Sequence, residues 1–553
     1  MTRIRWLTRH LRTLLFAAAC MTLAAGVPRV GSRVPRPRLV IVIVVDQFSP
    51  DYLTRFQPYF SLRGLNLFLQ RGAVFTAAKY EHAITFTCPG HAVVLTGSYA
   101  DANGIVSNSW YDAAKNREEY CAADSSGSLI GGVGEGRSPR NLLDSTVGDV
   151  MKLATGGRSR VITVAGKDRS AIMLGGHLGD AAYWLEDTLI VTSSYYEREL
   201  PGWVRRFNAS GIASSYLGKT WDRLLPVEAY AAAGDDDVPA EEDIAGTGRT
   251  FPHRPVRDAS GKGFLEAFSS SPFHNEVLAR FAMQAIVEEN LGRDEDPDLL
   301  AIGFSANDLI GHESGPDSHE VMDVTVRTDR LLQQLFDFVD ARVGLKNVVV
   351  VLTADHGVAP LPEVMQKRQP DAGAARFEPS RVAAAAEAAL AARYGRLPGS
   401  RWVVHHDLPF LYLNVRALEQ RGVSLEQAEQ VAKRAVEGVP GVYHSLTATE
   451  LAEQRRRGTH SSAELSFYPG RSGHVFYQLK PYLVPGTGSQ GTTHGSAWSY
   501  DTHVPLLWFG AGVVPGTYAT SVAVADIAPT LSALLRIARP SGSGGRVLRE
   551  MLR

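Results

Sequence analysis

Three carboxylates and three imidazoles occupy positions in this chain where ionisable groups are costly unless they are used. Asp308 and His312 are spaced Asp-x-x-x-His, which puts both on one helical turn, close enough to share a metal ion. The same spacing also suits an exposed ion pair. Asp355 and His356 directly follow the apolar run 348–353, and a strand that apolar carries charge at its tip only where a partner compensates the burial. His494 lies in Gly491-Thr-Thr-His-Gly495, where backbone can approach a ligand closely, although such a loop also carries ordinary surface histidines. Asp46 ends the apolar run 39–45. The six donors make two sets of three. A catalytic zinc takes three protein ligands and leaves a position open, whereas oxygen-only magnesium or calcium sites use fewer histidines, so the inventory predicts two Zn2+ ions. Three cysteines in 553 residues cannot form a cysteine-rich metal module.

A nucleophile for such a centre lies in Thr85-Phe-Thr87-Cys-Pro-Gly-His91-Ala. Pro89 suits the first turn of a helix and the apolar residues after it continue at helical spacing, so Thr87 is expected just before a helix N-terminus. There the dipole and free N–H groups favour an alkoxide and a phosphoryl group alike. Thr is also what an ordinary N-cap selects; the metal ligands turn the reading towards catalysis. Cys88 is the rival nucleophile, but the sequence sets no base or cation beside it to lower its pKa. His91 falls inside the helix and reads as structural. Lys167 and Arg169 follow the run 160–165; two apart in extended chain, they share a face, as an anion clamp at a strand end or as a solvated pair.

These residues need a scaffold that delivers them together. Apolar runs at 39–45, 160–165, 299–304 and 348–353 alternate with helical patterns such as 277–291 and 321–339, which predicts βαβ units in an α/β fold with a doubly wound, mostly parallel sheet. Ligands bind outside the carboxyl ends of such strands, where Asp46, Lys167, Arg169, Asp308, Asp355 and His356 all fall. One catalytic domain is expected over residues 36–540, with two insertions. Residues 192–262, holding Trp203, Trp221 and an acidic loop at 235–243, show no period, and the loop, lacking the alternating ligands of a calcium loop, reads as solvated. Residues 365–480 alternate strands (402–404, 410–415, 474–479) with helices (381–394, 425–436) and read as a smaller α+β lobe.

Composition narrows the partners. Apolar residues make up 44% and charged residues 21%, so a large core is affordable, and a net charge of −1 argues against nucleic acid as a specific partner. Arg3, Arg5, Arg9 and Arg12 precede the apolar run 14–25, and Ala24-Ala25-Gly26 offers the small residues that a signal peptidase needs. Residues 1–26 are therefore expected to be a signal peptide on an exported protein, periplasmic or secreted. That run falls short of the ~20 residues of a membrane span, and no other stretch is long and apolar enough to leave a stable one. Only Cys88 and Cys121 then remain, and their parity in an oxidising compartment predicts a disulfide.

Eight ordered motifs, from residue 39 to 535, carry a resemblance: Asp46-Gln, Thr87-Cys-Pro-Gly-His-Ala, Asn103-Gly-Ile-x-x-Asn108-x-Trp-Tyr-Asp112, Lys167-Asp-Arg169, Asp308-x-x-x-His312, Ala354-Asp-His-Gly357, Thr493-His-Gly495 and Asp526-Ile-Ala-Pro-Thr-Leu531. The chain resembles the alkaline phosphatase superfamily, and within it the phosphate-irrepressible alkaline phosphatases with a threonine nucleophile, relatives of the nucleotide pyrophosphatase/phosphodiesterases. The resemblance implies an alkaline phosphatase-like fold and hydrolysis of small phosphate esters. It implies one zinc on Asp308, His312 and His494 and another on Asp46, Asp355 and His356 beside a coordinating Thr87. It assigns the phosphoryl oxygens to Asn108, Lys167 and Arg169. Cys88 departs from the Gly or Ala that close relatives often carry there. A sulfatase pattern would put Cys at the place of Thr87. The resemblance implies a phosphomonoesterase first and a phosphodiesterase or nucleotide pyrophosphatase second.

Overall fold

The structure is a computed structural model that describes residues 36–255, 261–486 and 488–553; the expected signal segment, residues 1–26, lies outside them. Its frame is an eleven-stranded sheet. In chain order the strands are β1 (Leu39–Val45), β2 (Ala73–Phe75), β3 (Ala123–Ile130), β4 (Glu135–Arg137), β5 (Val161–Ala165), β6 (Ala181–Glu186), β7 (Leu189–Ser193), β8 (Asp298–Phe304), β9 (Val348–Thr353), β10 (Leu506–Gly510) and β11 (Gly516–Tyr518). Their order across the sheet is β11-β2-β10-β9-β1-β8-β5-β6-β7-β3-β4. The central five, β9-β1-β8-β5-β6, run parallel, while β10 and β7 pair antiparallel at either side. The fold is α/β, built on a large, centrally parallel sheet as the apolar runs predict.

Every residue of β1, β8 and β9 is buried. Successive side chains point to opposite faces, so both faces of the centre are covered, which is why these strands are unbroken apolar runs. Their register fixes the site. Val45 pairs with Phe304 and Val44 with Thr353, the Asp46 N–H donates to the Phe304 carbonyl at 2.9 Å, and the Gly166 N–H to the Gly303 carbonyl at 3.1 Å. The four strands therefore end flush, and the polar residues after them emerge along one edge.

Helix boundaries shift where capping overrides apolar period. The helix expected at 277–291 spans Pro272–Glu288, because Ser271-Pro272 presets its first turn and Asn290, at φ 55°, leaves the helical region. The smaller lobe is an antiparallel sheet ordered Val403–Asp407, Phe410–Leu413, Val475–Leu479, Val442–Thr447, backed by helices Ser380–Tyr394 and Leu425–Glu437 and cored by Trp402, Leu411, Val436 and Tyr477. The stretch 192–262 is largely irregular yet anchored: Trp203 stacks on Phe281 at 4.9 Å, and the buried Trp221 faces Asp323.

Cys88, on helix α1 (Thr87–Thr96), is disulfide-bonded to Cys121, 33 residues away, with Cα atoms 6.7 Å apart. Closing a loop of that length restricts the unfolded chain by about 3 to 4 kcal/mol on the chain-entropy account. Denaturant titration of the Cys88→Ser/Cys121→Ser variant should show a loss of that order, and added reductant should lower the wild-type midpoint while leaving the variant's unchanged. Equal midpoints for the two proteins without reductant would remove this stabilisation.

Candidate metal centre

Three imidazoles converge with one orientation. His312 Nδ1 lies 2.9 Å from the Thr492 carbonyl, His494 Nδ1 is 2.6 Å from the Thr85 carbonyl, and His356 Nδ1 is 3.0 Å from that of Gly357. A carbonyl can only accept, so each ring carries a proton on Nδ1 and turns Nε2 towards the carboxylates, the orientation that ligating histidines adopt. All three Nε2 atoms face carboxylates: His312 and His494 face Asp308 Oδ1 at 3.2 and 3.5 Å, while His356 faces Asp46 Oδ1 and Asp355 Oδ2, each at 3.4 Å. The rings of His356 and His494 stack at 3.5 Å.

The ligand atoms of Asp308, His312 and His494 fall within 4.8 Å of one another, and so do those of Asp46, Asp308 and His356. Asp308, at the start of helix α3 (Ala306–Ser314), thus belongs to both groups, while Asp355 closes the line beyond His356. The six donors form one contiguous row rather than two separated triads. Asp46 Oδ1 and His356 Nε2 are buried without any hydrogen-bond partner, which fits a bound cation: a buried lone pair left without a donor is costly.

The electrostatics follow from crowding. Burial raises the Asp46 carboxyl well above its usual range, and Asp308 and Asp355 raise it further against Lys167. Burial also acts on Asp308, but Lys167 and His312 outweigh it and hold that carboxyl low. Burial drives His356 down to about 3, so its ring is neutral at physiological pH and free to act as a ligand. Lys167 stands in the row itself, its Nζ 2.5 Å from Asp46 Oδ2 and 2.6 Å from Asp308 Oδ2. Lys167 thus holds the Oδ2 atoms, while the Oδ1 atoms of the same two carboxylates face the imidazoles.

Lys167 and Arg169 do not share an extended face as expected. Lys167 caps helix α2 (Asp168–Gly175) with extended backbone, and Arg169 lies in that helix's first turn, because Asp168 suits a helix N-terminus. Burial would lower the Arg169 pKa, but Tyr120, Asp168 and Asp46 raise it, so the side chain remains a guanidinium.

Thr87 is buried and is the first residue of α1, capped by the extended Phe86, so Pro89 is the third helical residue rather than the first. The Thr85 carbonyl holds His494, and the Phe86 ring meets His494 edge-on at 5.6 Å. His91 Nδ1 reaches both the Thr87 carbonyl, at 2.9 Å, and Asp355 Oδ2, at 3.2 Å. A Cβ added to Gly90 would lie 2.8 Å from that of Asp355, so this helix start seats against the ligand row only with glycine there. Asn108 Oδ1 accepts the Cys88 N–H at 2.8 Å, which brings the amide beside Thr87.

Sequence reasoning missed two supports of the row. Gln47 Nε2 donates to Asp308 Oδ1 at 2.7 Å and its N–H to Asp355 Oδ1 at 3.2 Å; adjacency to Asp46 was its only signal. The acidic loop is also not simply solvated. Glu241 is buried and its carbonyl accepts from Gln490, while the Gly491 N–H bonds Ala240 and the Thr492 N–H bonds His312. The loop therefore braces the segments carrying His312 and His494.

Residues 40–496 match the type I phosphodiesterase / nucleotide pyrophosphatase family, and the chain belongs to it. Alkaline phosphatase PafA of Elizabethkingia meningoseptica is 32% identical over 530 residues, covering 94% of this chain and 95% of that protein. A protein named calcium-transporting ATPase from Myroides odoratus is also 32% identical, over 529 residues, with 94% and 95% covered. The crystal structure of wild-type PafA matches with a TM-score of 0.88 at 30% identity, covering 94% of this chain and all of that one. Within the family the chain falls with the phosphate-irrepressible alkaline phosphatases and is a phosphatase. Among the described residues, no helix is long and apolar enough to cross a membrane.

Glu241 supplies a test of the brace. Burial first, then Glu320, raises its carboxyl from 4.5 to about 9. The unfolded chain ionises from about pH 4.5 while the folded chain holds the proton to about 9, so this residue's contribution to stability falls as pH rises through that window. Glu241→Gln should therefore gain stability relative to wild type between pH 5 and pH 9 in thermal melts. A constant difference across that range would mean that the folded carboxyl is already ionised.

Proposed function

We propose that this protein is an exported, zinc-dependent alkaline phosphatase that hydrolyses small phosphate monoesters through a phosphothreonine on Thr87. The observation that carries the reading is the convergence of three Nδ1-anchored imidazoles and three carboxylates beside a threonine at a helix start. Asp308, His312 and His494 would hold one zinc; Asp46, Asp355 and His356, with Thr87, the other. When bound, the ions supply Lewis acidity that makes a hydroxyl a nucleophile near neutral pH and offsets charge at phosphorus. Export rests on residues 1–26, with their four arginines, apolar run and small residues.

The chain's own groups do the rest. Thr87 Oγ attacks phosphorus in line; the P–O bond to the leaving group breaks, the alcohol departs, and water then cleaves the phosphothreonine to phosphate. The α1 N-terminus faces the growing negative charge with its first N–H groups. Asn108, with Oδ1 held by Cys88, offers its Nδ2 hydrogens to a phosphoryl oxygen. Arg169 offers a planar donor fork, and Lys167 balances the carboxylates and the phosphoryl group. A phosphodiesterase reading would use the same ligands, but a diester has one charge fewer and an added substituent, so it gains less from these cations.

Acid-quenched mass spectrometry during turnover should find phosphate on Thr87, with none in Thr87→Ala and a part of the rate kept by Thr87→Ser. A strong chelator should abolish activity, zinc should restore it better than magnesium, and His494→Ala should lose at least about a hundredfold. Phosphate on another residue, or full activity after chelation, would sink the reading.

Charge selectivity gives a separate measurement. Each hydrogen bond between charged groups contributes about 1.5 to 3 kcal/mol, so Lys167→Ala/Arg169→Ala should cost monoester turnover roughly 10² to 10⁴-fold and diester turnover much less. The expected shift in the ratio of kcat/KM is at least about tenfold towards diesters, with metal content unchanged. Equal losses on both substrates would return weight to the diesterase reading.

A further inference from the structure

Arg169 has a long, rotatable side chain that must be aimed to be of use, and holding it costs conformational entropy unless neighbours fix it. Its Nε is buried without a partner, and its guanidinium lies against the Tyr120 hydroxyl. That hydroxyl is not free to rotate. It donates its proton to Asp168 Oδ1 at 2.5 Å, so towards Arg169 it can present only lone pairs. Asp168 is held in turn on both oxygens. Oδ2 accepts from Arg137 Nε at 2.6 Å, and Oδ1 also takes the Arg169 backbone N–H at 2.6 Å. The Arg137 guanidinium covers the Tyr120 ring at 5.4 Å, closing the ring of contacts.

Tyr120 is also tied to the other side of the site. It ends a hairpin in which Ser109 pairs with Tyr120, so Asn108 and Cys121 are the next residues on the two strands. The Cys121 N–H donates to the Asn108 carbonyl at 2.9 Å, and Cys121 is bonded to Cys88, the neighbour of Thr87. One rigid unit therefore sets the register of Thr87, Asn108 and Tyr120.

We infer that Tyr120 is a positioning residue that aims Arg169 at the phosphoryl group, with Asp168 and Arg137 fixing the direction of its hydroxyl. The inference deepens the proposed function and rests on it: Arg169 must contact the substrate for its aim to matter. The Tyr120 hydroxyl spends its proton on Asp168, not on any of the six candidate ligands, so its effect should follow Arg169 and not the metals.

The test is a double-mutant cycle on the full-length, zinc-loaded protein, with an aryl phosphate monoester and an aryl phosphate diester as probes. Tyr120→Phe keeps the ring and removes only the hydroxyl. It should lower monoester kcat/KM about tenfold, the worth of one hydrogen bond to a charged group, and weaken inhibition by inorganic phosphate by a similar factor. Diester kcat/KM should move less than about twofold, and zinc content should not change. In an Arg169→Ala background the Tyr120→Phe loss should vanish. Asp168→Asn, which keeps Tyr120 but weakens the group that orients it, should reproduce the monoester-selective loss and so guards against a folding artefact. A silent Tyr120→Phe, equal losses on both substrates, or a loss persisting without Arg169 would overturn the inference alone. A silent Arg169→Ala would overturn it together with the phosphoryl role of Arg169.

Discussion

Three carboxylates, Asp46, Asp308 and Asp355, are buried within one short row, and the rest of the catalytic face is arranged around that fact. At 1%, 3% and 0% exposure they cannot all ionise without compensating positive charge, because like charges repel strongly where water does not screen them. The contrary displacement of Asp46 and Asp308, one pushed up by burial and neighbours and the other held down by Lys167 and His312, reflects that crowding. A site that makes anions so costly and then lines them with imidazoles has a strong appetite for cations. The same field would attract the metal and, once neutralised, a phosphate.

Such a row demands a stiff scaffold, and the parallel centre of the sheet supplies it. The carboxylates come from three separate segments, Asp46 lying hundreds of residues before the other two, yet strand register sets Asp46, Asp308 and Asp355 at one edge without any loop having to find its own way there. Imidazoles reach the row from less regular chain, and each is pinned by a backbone carbonyl instead. Shared contacts then join the nucleophile to the ligands: Thr85 holds His494, His91 spans Thr87 and Asp355, and Gly90 admits the helix. Displacing Thr87 would disturb ligands at both ends of the row.

The strands and the donors at their tips were legible because burial on both faces writes an uninterrupted apolar run, and an acid or imidazole directly after it has few structural uses. Asp46, Asp355 and His356 stand out for that reason, and the spacing of Asp308 and His312 for its helical period. Helix α2 was not anticipated at Lys167, since a three-residue motif after a strand reads equally as extended chain until Asp168 is seen to start a helix. Strand Val442–Thr447 was missed because glycines and a proline at 438–441 make the stretch resemble a turn. Glu241 and Tyr120 carry no local pattern that marks these roles, and Gln47 has only its place beside Asp46. Their roles arise only from partners distant in sequence, as with Gln47 on Asp308 and Asp355, and no period or motif encodes such a pairing.

The smaller lobe leaves the sheet just after His356 and rejoins it just after His494, where β9 and β10 pair side by side, Val349 opposite Gly510. Its entry and exit are thus fixed by neighbouring strands, and the closure entropy of the intervening chain grows only slowly with length. The lobe has its own core, so its interior can drift, lengthen or be exchanged in descent while the two histidines at its base keep their places.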